Sequence, residues 1–129
     1  MLLDSTFLHD LVREEPSAVT RLEELIADGT PVVVSSLTVF EVGVGLRGAA
    51  RDYRDHFRTT IAEIEEHPLG PTEARRALEI QRTLYSRGEP IGAVDALIAG
   101  TAAERPDSSV LTRNVDEFER VDELTIETY

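Results

Sequence analysis

The 129-residue sequence predicts an α/β fold with a mostly parallel central sheet covered by helices on both faces. Short apolar runs alternate along the chain with patterns of helical period, as βαβ units require. The run "PVVVS" at 31–35 is β-branched and without polar alternation, the signature of a strand buried on both faces. Ala93 to Glu104 is built from small residues, so its helix must pack closely against a neighbour.

The elements follow in order. Met1 to Asp4 reads as a short strand. Pro16 to Asp28 reads as a helix: Pro16 suits its first turn, Val19, Leu22, Leu25 and Ile26 form one stripe, and Gly29 stops it. The strand 31–35 leads into a helix over Ser36 to Leu46, with Leu37, Phe40 and Val44 at helical spacing. Gly43 and Gly45 allow close packing there. Ala50 to Glu66 reads as a second amphipathic helix with Phe57, Ile61 and Ile64 inward, and 67–70 as a short strand. Thr72 to Arg87 is a helix with Ala74, Ala77, Leu78 and Leu84 inward and Gly88 as its stop. After the helix at 93–104, "SVLT" at 109–112 is a strand, a loop or short helix runs to Arg120, and "LTIETY" at 124–129 is an alternating edge strand. The expected organisation is one domain over 1–129, with no repeat, low-complexity block or long linker.

Composition narrows the chemistry. There is no cysteine, which excludes disulfides, thiolate zinc sites and thiol catalysis. All 13 basic residues are arginine, so a P-loop lysine, a Schiff-base lysine and the lysine of a phospho-accepting receiver domain are excluded. Neither G-x-S-x-G nor G-x-G-x-x-G occurs. His9, His56 and His67 have no i,i+4 partner and read as surface or local hydrogen-bonding groups. No apolar run is long enough to cross a bilayer, and no basic segment precedes an apolar stretch, so the expected location is cytoplasmic, with no membrane partner. The net charge of −12 fits a soluble protein of a high-salt cytosol.

The acids hold the functional signal. In "PIGAVDALIAG", 90–100, Asp95 stands alone among apolar and small residues, near the amino end of its helix. Asp4 closes the first strand. Glu41 lies one or two turns into the helix after the second, among Leu37, Phe40, Val42, Val44 and Leu46. Asn114 and Asp116 follow the strand ending at Thr112. All fall where the strands' carboxyl ends open, the ligand-binding edge of such sheets. Each has a simpler reading: Asp4 as a helix cap, Glu41 paired with Arg47, Asp95 as a first-turn anion, Asp116 as a loop residue. Together they are carboxylates that would repel one another, a cost that a divalent cation relieves. Oxygen donors without His or Cys point to Mg²⁺ or Mn²⁺. Such an ion lowers the pKa of a bound water for attack on a phosphodiester, and a carboxylate left free by it, Glu41 or Asp116, could orient or deprotonate that water.

"LLDSTFL" (2–8), "SSLTVFEVGVGL" (35–46), "GEPIGAVDALIAGTAAE" (88–104) and "VLTRNVDEFERV" (110–121) resemble, in order and spacing, the blocks of a PIN-domain ribonuclease. The resemblance is to the VapC-like toxins of type II toxin–antitoxin systems and covers essentially the whole chain. It implies a three-layer α/β/α domain and RNA cleavage dependent on Mg²⁺ or Mn²⁺. It places metal-site roles on Asp4, Glu41 and Asp95, with Thr112 and Asn114 as the polar pair that completes the site. The family often has an Asp directly before the Phe of the last block. Here that position is Glu117, with Asp116 one residue earlier; Asp116 is the expectation by residue type and Glu117 the alternative. The resemblance also implies an antitoxin protein and a homodimer. Arg47, Arg51, Arg54 and Arg58 recur at i, i+4, i+7 and i+11, a helical stripe able to grip RNA phosphates or to pair with neighbouring acids. The readings weighed against a toxin are a PIN nuclease of RNA processing and a protein-binding module without catalysis.

Overall fold

The computed structural model covers residues 1–129. Five strands form one parallel sheet: β1 (Leu2–Leu3), β2 (Val33–Ser35), β3 (Glu65–His67), β4 (Ser109–Leu111) and β5 (Thr125–Glu127), in the order β3-β2-β1-β4-β5. The helices are α1 (Ser5–Val12), α2 (Pro16–Ala27), α3 (Ser36–Gly45), α4 (Arg54–Glu63), α5 (Pro71–Ser86), α6 (Ala93–Ala103) and the single turn α7 (Val115–Phe118); a 3₁₀ segment, Gly48–Tyr53, precedes α4. The chain winds outward from β1 to β2 and β3, then crosses to the other side for β4 and β5. The switch point therefore lies between β1 and β4.

Strand alternation builds the three layers. Leu2 is in register with Val33 and Val110, and Leu3 with Val34 and Leu111. The Leu3 face joins Phe7, Leu8 and Leu11 of α1, Leu25 of α2 and Val42 of α3 in one core. The Leu2 face joins Ile80 and Leu84 of α5, Ile98 and Ala102 of α6 and Phe118 of α7 in the other. Phe118 is fully buried and is what seats α7 on the sheet. Phe118→Ala is expected to cost about 3–5 kcal/mol in urea denaturation; a cost under about 1 kcal/mol would contradict this seating.

Several expectations are corrected. The sequence reading had no helix at 5–12, yet α1 begins directly after the first strand. The expected helix from 50 to 66 is divided: Arg47 precedes the 3₁₀ segment, Arg51 lies within it, and α4 starts only at Arg54. Gly48, at φ +59°, turns the chain there. The third strand is 65–67, not 67–70, because Ile64 is already extended and Pro68 can donate no ladder hydrogen bond. Ile26, Phe40, Val44 and Leu78 are exposed rather than inward. Leu25 in α2, Thr38 and Val42 in α3, and Ile80 in α5 hold the buried positions of those helices.

Candidate active site

The carboxyl ends of β1 and β4 set the first two members. The Asp4 amide donates to the Leu111 carbonyl at 3.1 Å, carrying the β1–β4 pairing one residue past the strand. Its carboxylate, 2% exposed, accepts from Thr112 Oγ1 at 2.7 Å and Thr6 Oγ1 at 3.2 Å. Asp4 precedes α1, but its side chain caps no amide of that helix. Thr112 is itself fixed by the sheet, its amide donating to the Glu127 carbonyl at 2.9 Å.

The network continues outward. The Asn114 amide donates to Thr112 Oγ1 at 2.9 Å, and Asn114 Nδ2 donates to Asp95 Oδ2 at 3.3 Å. Asp95 is the third residue of α6, and Glu117, in α7, accepts from the Gly92 amide at 3.4 Å just before α6 begins. Asp95 Oδ2 and Glu117 Oε2 both lie within 4 Å of where a side chain at Gly92 would begin. Glu41 projects from α3, which starts as the β2 strand ends because Ser35 Oγ accepts from the Leu37 amide at 3.1 Å. Glu41 Oε1 is buried with no hydrogen-bond partner, and no ion pair joins Glu41 to Arg47.

The acids feel one another. Burial, then the hydrogen bond and charge of Glu117, then the charges of Asp4 and Glu41, push Asp95 up to about 7. Burial, then the charge of Asp4, raises Glu41. Glu117 is held below its ordinary value, first by the hydrogen bond from Asp95. As they stand, no three of these side chains are drawn together tightly enough to hold a cation. The donor set nonetheless suits a hard divalent ion: every donor is oxygen, Glu41 Oε1 lacks a partner, and the charges of Glu117, Asp4 and Glu41 all act on Asp95.

Asp4, Asp95, Thr112 and Asn114 thus form one hydrogen-bonded chain, with Glu41 coupled to it by charge. Asp116 stands apart from this chain. It is exposed and makes no hydrogen bond or ion pair with the other acids, whereas Glu117 reaches Asp95 and Gly92. Burial of Phe118 fixes the rotation of α7 and turns its immediate neighbour toward α6. Thr6 was not anticipated; the hydroxyls following Asp4 in "DST" were its signal. The arginine quartet forms no stripe. Arg54 Nε donates to the Leu46 carbonyl at 2.6 Å, Arg58 pairs with Asp55, and Arg47 and Arg51 lie outside α4. All three histidines make local contacts: His9 with Asp10 and Arg13, His56 with the Val12 carbonyl and His67 with Glu73.

Comparison with known proteins identifies the family. The PIN-domain family model matches residues 1–124. Ribonuclease VapC19 of Mycobacterium tuberculosis is 32% identical over 117 residues, which are 91% of this chain and 90% of that protein. A chain in the crystal structure of VapBC2 from Rickettsia felis, bound to a promoter DNA fragment, shares the fold with a TM-score of 0.85 at 21% identity, covering 99% of this chain and 97% of the other. A chain of DNA-bound VapBC from Salmonella typhimurium gives 0.83 at 25% identity, with 98% and 96% covered. Matched from Met1 to Leu124, and along nine-tenths of its length to a VapC ribonuclease, the chain belongs to the PIN-domain family, among its VapC-like members.

Proposed function

We propose that the protein is a ribonuclease that hydrolyses RNA phosphodiester bonds with Mg²⁺ or Mn²⁺ and acts as the toxin of a type II toxin–antitoxin pair. The observation that carries this reading is the convergence of Asp4, Glu41, Asp95 and Glu117 at the switch point, with one Glu41 oxygen buried and unpartnered. Asp4, Asp95 and Glu117 are the residues that would hold the ion. When bound, it supplies Lewis acidity for attack of water on a phosphodiester. Thr112 and Thr6 hold the Asp4 carboxylate in one orientation, and Asn114 does the same for Asp95. Glu41 is the base: its carboxylate accepts the proton of the attacking water, and its raised affinity for protons suits that task.

The proposed partners are RNA, an antitoxin protein and a second copy of the chain. Exposed Phe40 and Val44 flank Glu41 along α3 and give a protein partner apolar surface beside the site. The test is cleavage of a labelled single-stranded RNA. Wild type with Mn²⁺ or Mg²⁺ is expected to cut it, excess EDTA to stop the reaction, and Asp4→Asn to lose it. Cleavage that survives EDTA, or an Asp4→Asn variant as active as wild type, would exclude this site as the catalyst.

A further inference from the structure

An acidic nuclease has to bring a polyanion to a cluster of carboxylates. With 25 acids against 13 arginines, the surface as a whole repels RNA. Arg21, Arg58, Arg76, Arg87 and Arg105 do little to relieve this, because each is paired with a carboxylate. A cleft of about 500 Å³ beside the acids is different. Its floor is the polar face of α1: Ser5, Thr6, His9, Asp10 and Arg13. One wall is α3, from Glu41 to Leu46, and Arg113 closes the other side.

The cleft joins the acid cluster at one end, where Thr6 bonds Asp4, and leads away to Arg13. Eight residues of helix rise separate Ser5 from Arg13, about 12 Å, enough to put Arg13 beyond the scissile position. Both cleft arginines are pre-organised on aromatic rings. The Arg13 guanidinium lies 4.8 Å over Tyr53, and its Nε donates to His9 Nε2 at 2.9 Å, leaving both terminal nitrogens without partners. Arg113 lies 4.6 Å over Tyr129, with Nη2 on Ser17 at 2.9 Å and Nε 3.4 Å from Asp10, so Nη1 is free. Asp10, the acid on the cleft floor, already accepts from Tyr129 Oη at 2.7 Å.

We infer that this cleft, with Arg13 and Arg113 as its phosphate-binding groups, seats the RNA backbone next to the bond being cut. The inference rests on the ribonuclease reading above. Stacked guanidinium groups with free N–H donors match phosphate oxygens, and stacking lowers the entropy lost when they bind. They touch a phosphate that does not react, so they govern substrate binding rather than the chemical step.

The test uses the full chain and a short fluorescein-labelled single-stranded RNA, with binding read by anisotropy in EDTA and cleavage read in Mn²⁺. Arg13→Ala and Arg113→Ala are each expected to raise Kd and KM about tenfold, with kcat nearly unchanged. Each should flatten the slope of log K against log salt by about 0.7, the loss of one phosphate contact on a single strand. Arg13→Lys should recover only part of the affinity, since an ammonium keeps the charge but loses the stacking on Tyr53 and the paired donors. Gly45→Leu fills the cleft without changing charge, since a Cβ at Gly45 meets nothing within 4 Å, and should also raise KM. Arg82→Ala, on α5 away from the cleft, is the unchanged control. Wild-type KM and salt slope in all three cleft variants would overturn the inference while leaving the nuclease intact. A wild type that neither binds nor cuts RNA would overturn the nuclease reading, and this inference with it.

Discussion

Asp95→Asn is expected to lower RNA cleavage roughly a thousandfold and, in EDTA at neutral pH, to make the protein more stable than wild type. The two effects have one cause. Asp95 is pushed up to about 7 by burial and by the charges of Glu117, Asp4 and Glu41, against an ordinary value of 3.8. An acid whose folded value lies above its unfolded value binds more protons when folded. Stability therefore falls as pH rises from about 4 to about 7, and the penalty stays in full above that range. The full shift would represent roughly 4 kcal/mol. Asp95 is only partly buried, so solvent screening reduces this to about 1–2 kcal/mol, or several degrees in Tm. Asn removes the charge and keeps an oxygen for Asn114 Nδ2. With Mn²⁺ the order should reverse, because an ion that binds only the folded wild type stabilises it by about 2.7 kcal/mol at a hundredfold excess over Kd. Thermal melts of both proteins in EDTA and in Mn²⁺, at pH 5 and pH 7.5, check each step. A variant less stable than wild type in EDTA, with neither protein responding to Mn²⁺, would reduce Asp95 to a first-turn anion favoured by its helix dipole.

Asp4, Glu41 and Asp95 were legible because each is a charge among apolar neighbours, an anomaly that needs no structure to see. The choice between Asp116 and Glu117 was not, because a single helical turn has no period to read. Which of the two faces α6 is set by the anchoring of Phe118 in the core, a tertiary fact. Helix α1 was missed although Phe7, Leu8, Leu11 and Val12 carry a helical pattern, because the strand before it is only two residues long and the two signals run together. The third strand was displaced because Glu65 and Glu66 are exposed on an edge, where polar residues imitate a helix surface. The arginine quartet misled for a related reason. Spacing predicts a shared face only where one helix is continuous, and the turn at Gly48 with the 3₁₀ segment breaks that continuity. Arg13 and Arg113, by contrast, are 100 residues apart in sequence and line one cleft because β1 and β4 are neighbours.

Gly100→Ala should destabilise the protein by about 2–3 kcal/mol and reduce cleavage by up to about a hundredfold, far more than a methyl group does at an ordinary helix position. A Cβ at Gly100 would sit 2.6 Å from the Ala77 amide nitrogen and the Glu73 carbonyl oxygen and 2.8 Å from Ala77 Cα, all backbone atoms of α5. Backbone cannot rotate aside, so relief requires α6 to move outward by several tenths of an ångström. The interface resists, because Ile80 and Leu84 of α5 pack with Ile98, Ala99 and Ala102 of α6 in one core. Alanine's better helix propensity, worth about 1 kcal/mol, offsets only part of the cost. The displacement also reaches the site, since Asp95 lies on α6 just over one turn before Gly100. Stability comes from urea denaturation, and activity from kcat/KM measured well below the variant's Tm, so that loss of folded protein is not mistaken for loss of chemistry. Gly45→Ala, where the added atom meets nothing within 4 Å, should be neutral or slightly stabilising. If Gly100→Ala behaves like Gly45→Ala, α5 and α6 do not approach this closely, and the rigid placement of Asp95 must come from Asn114 and Glu117 alone.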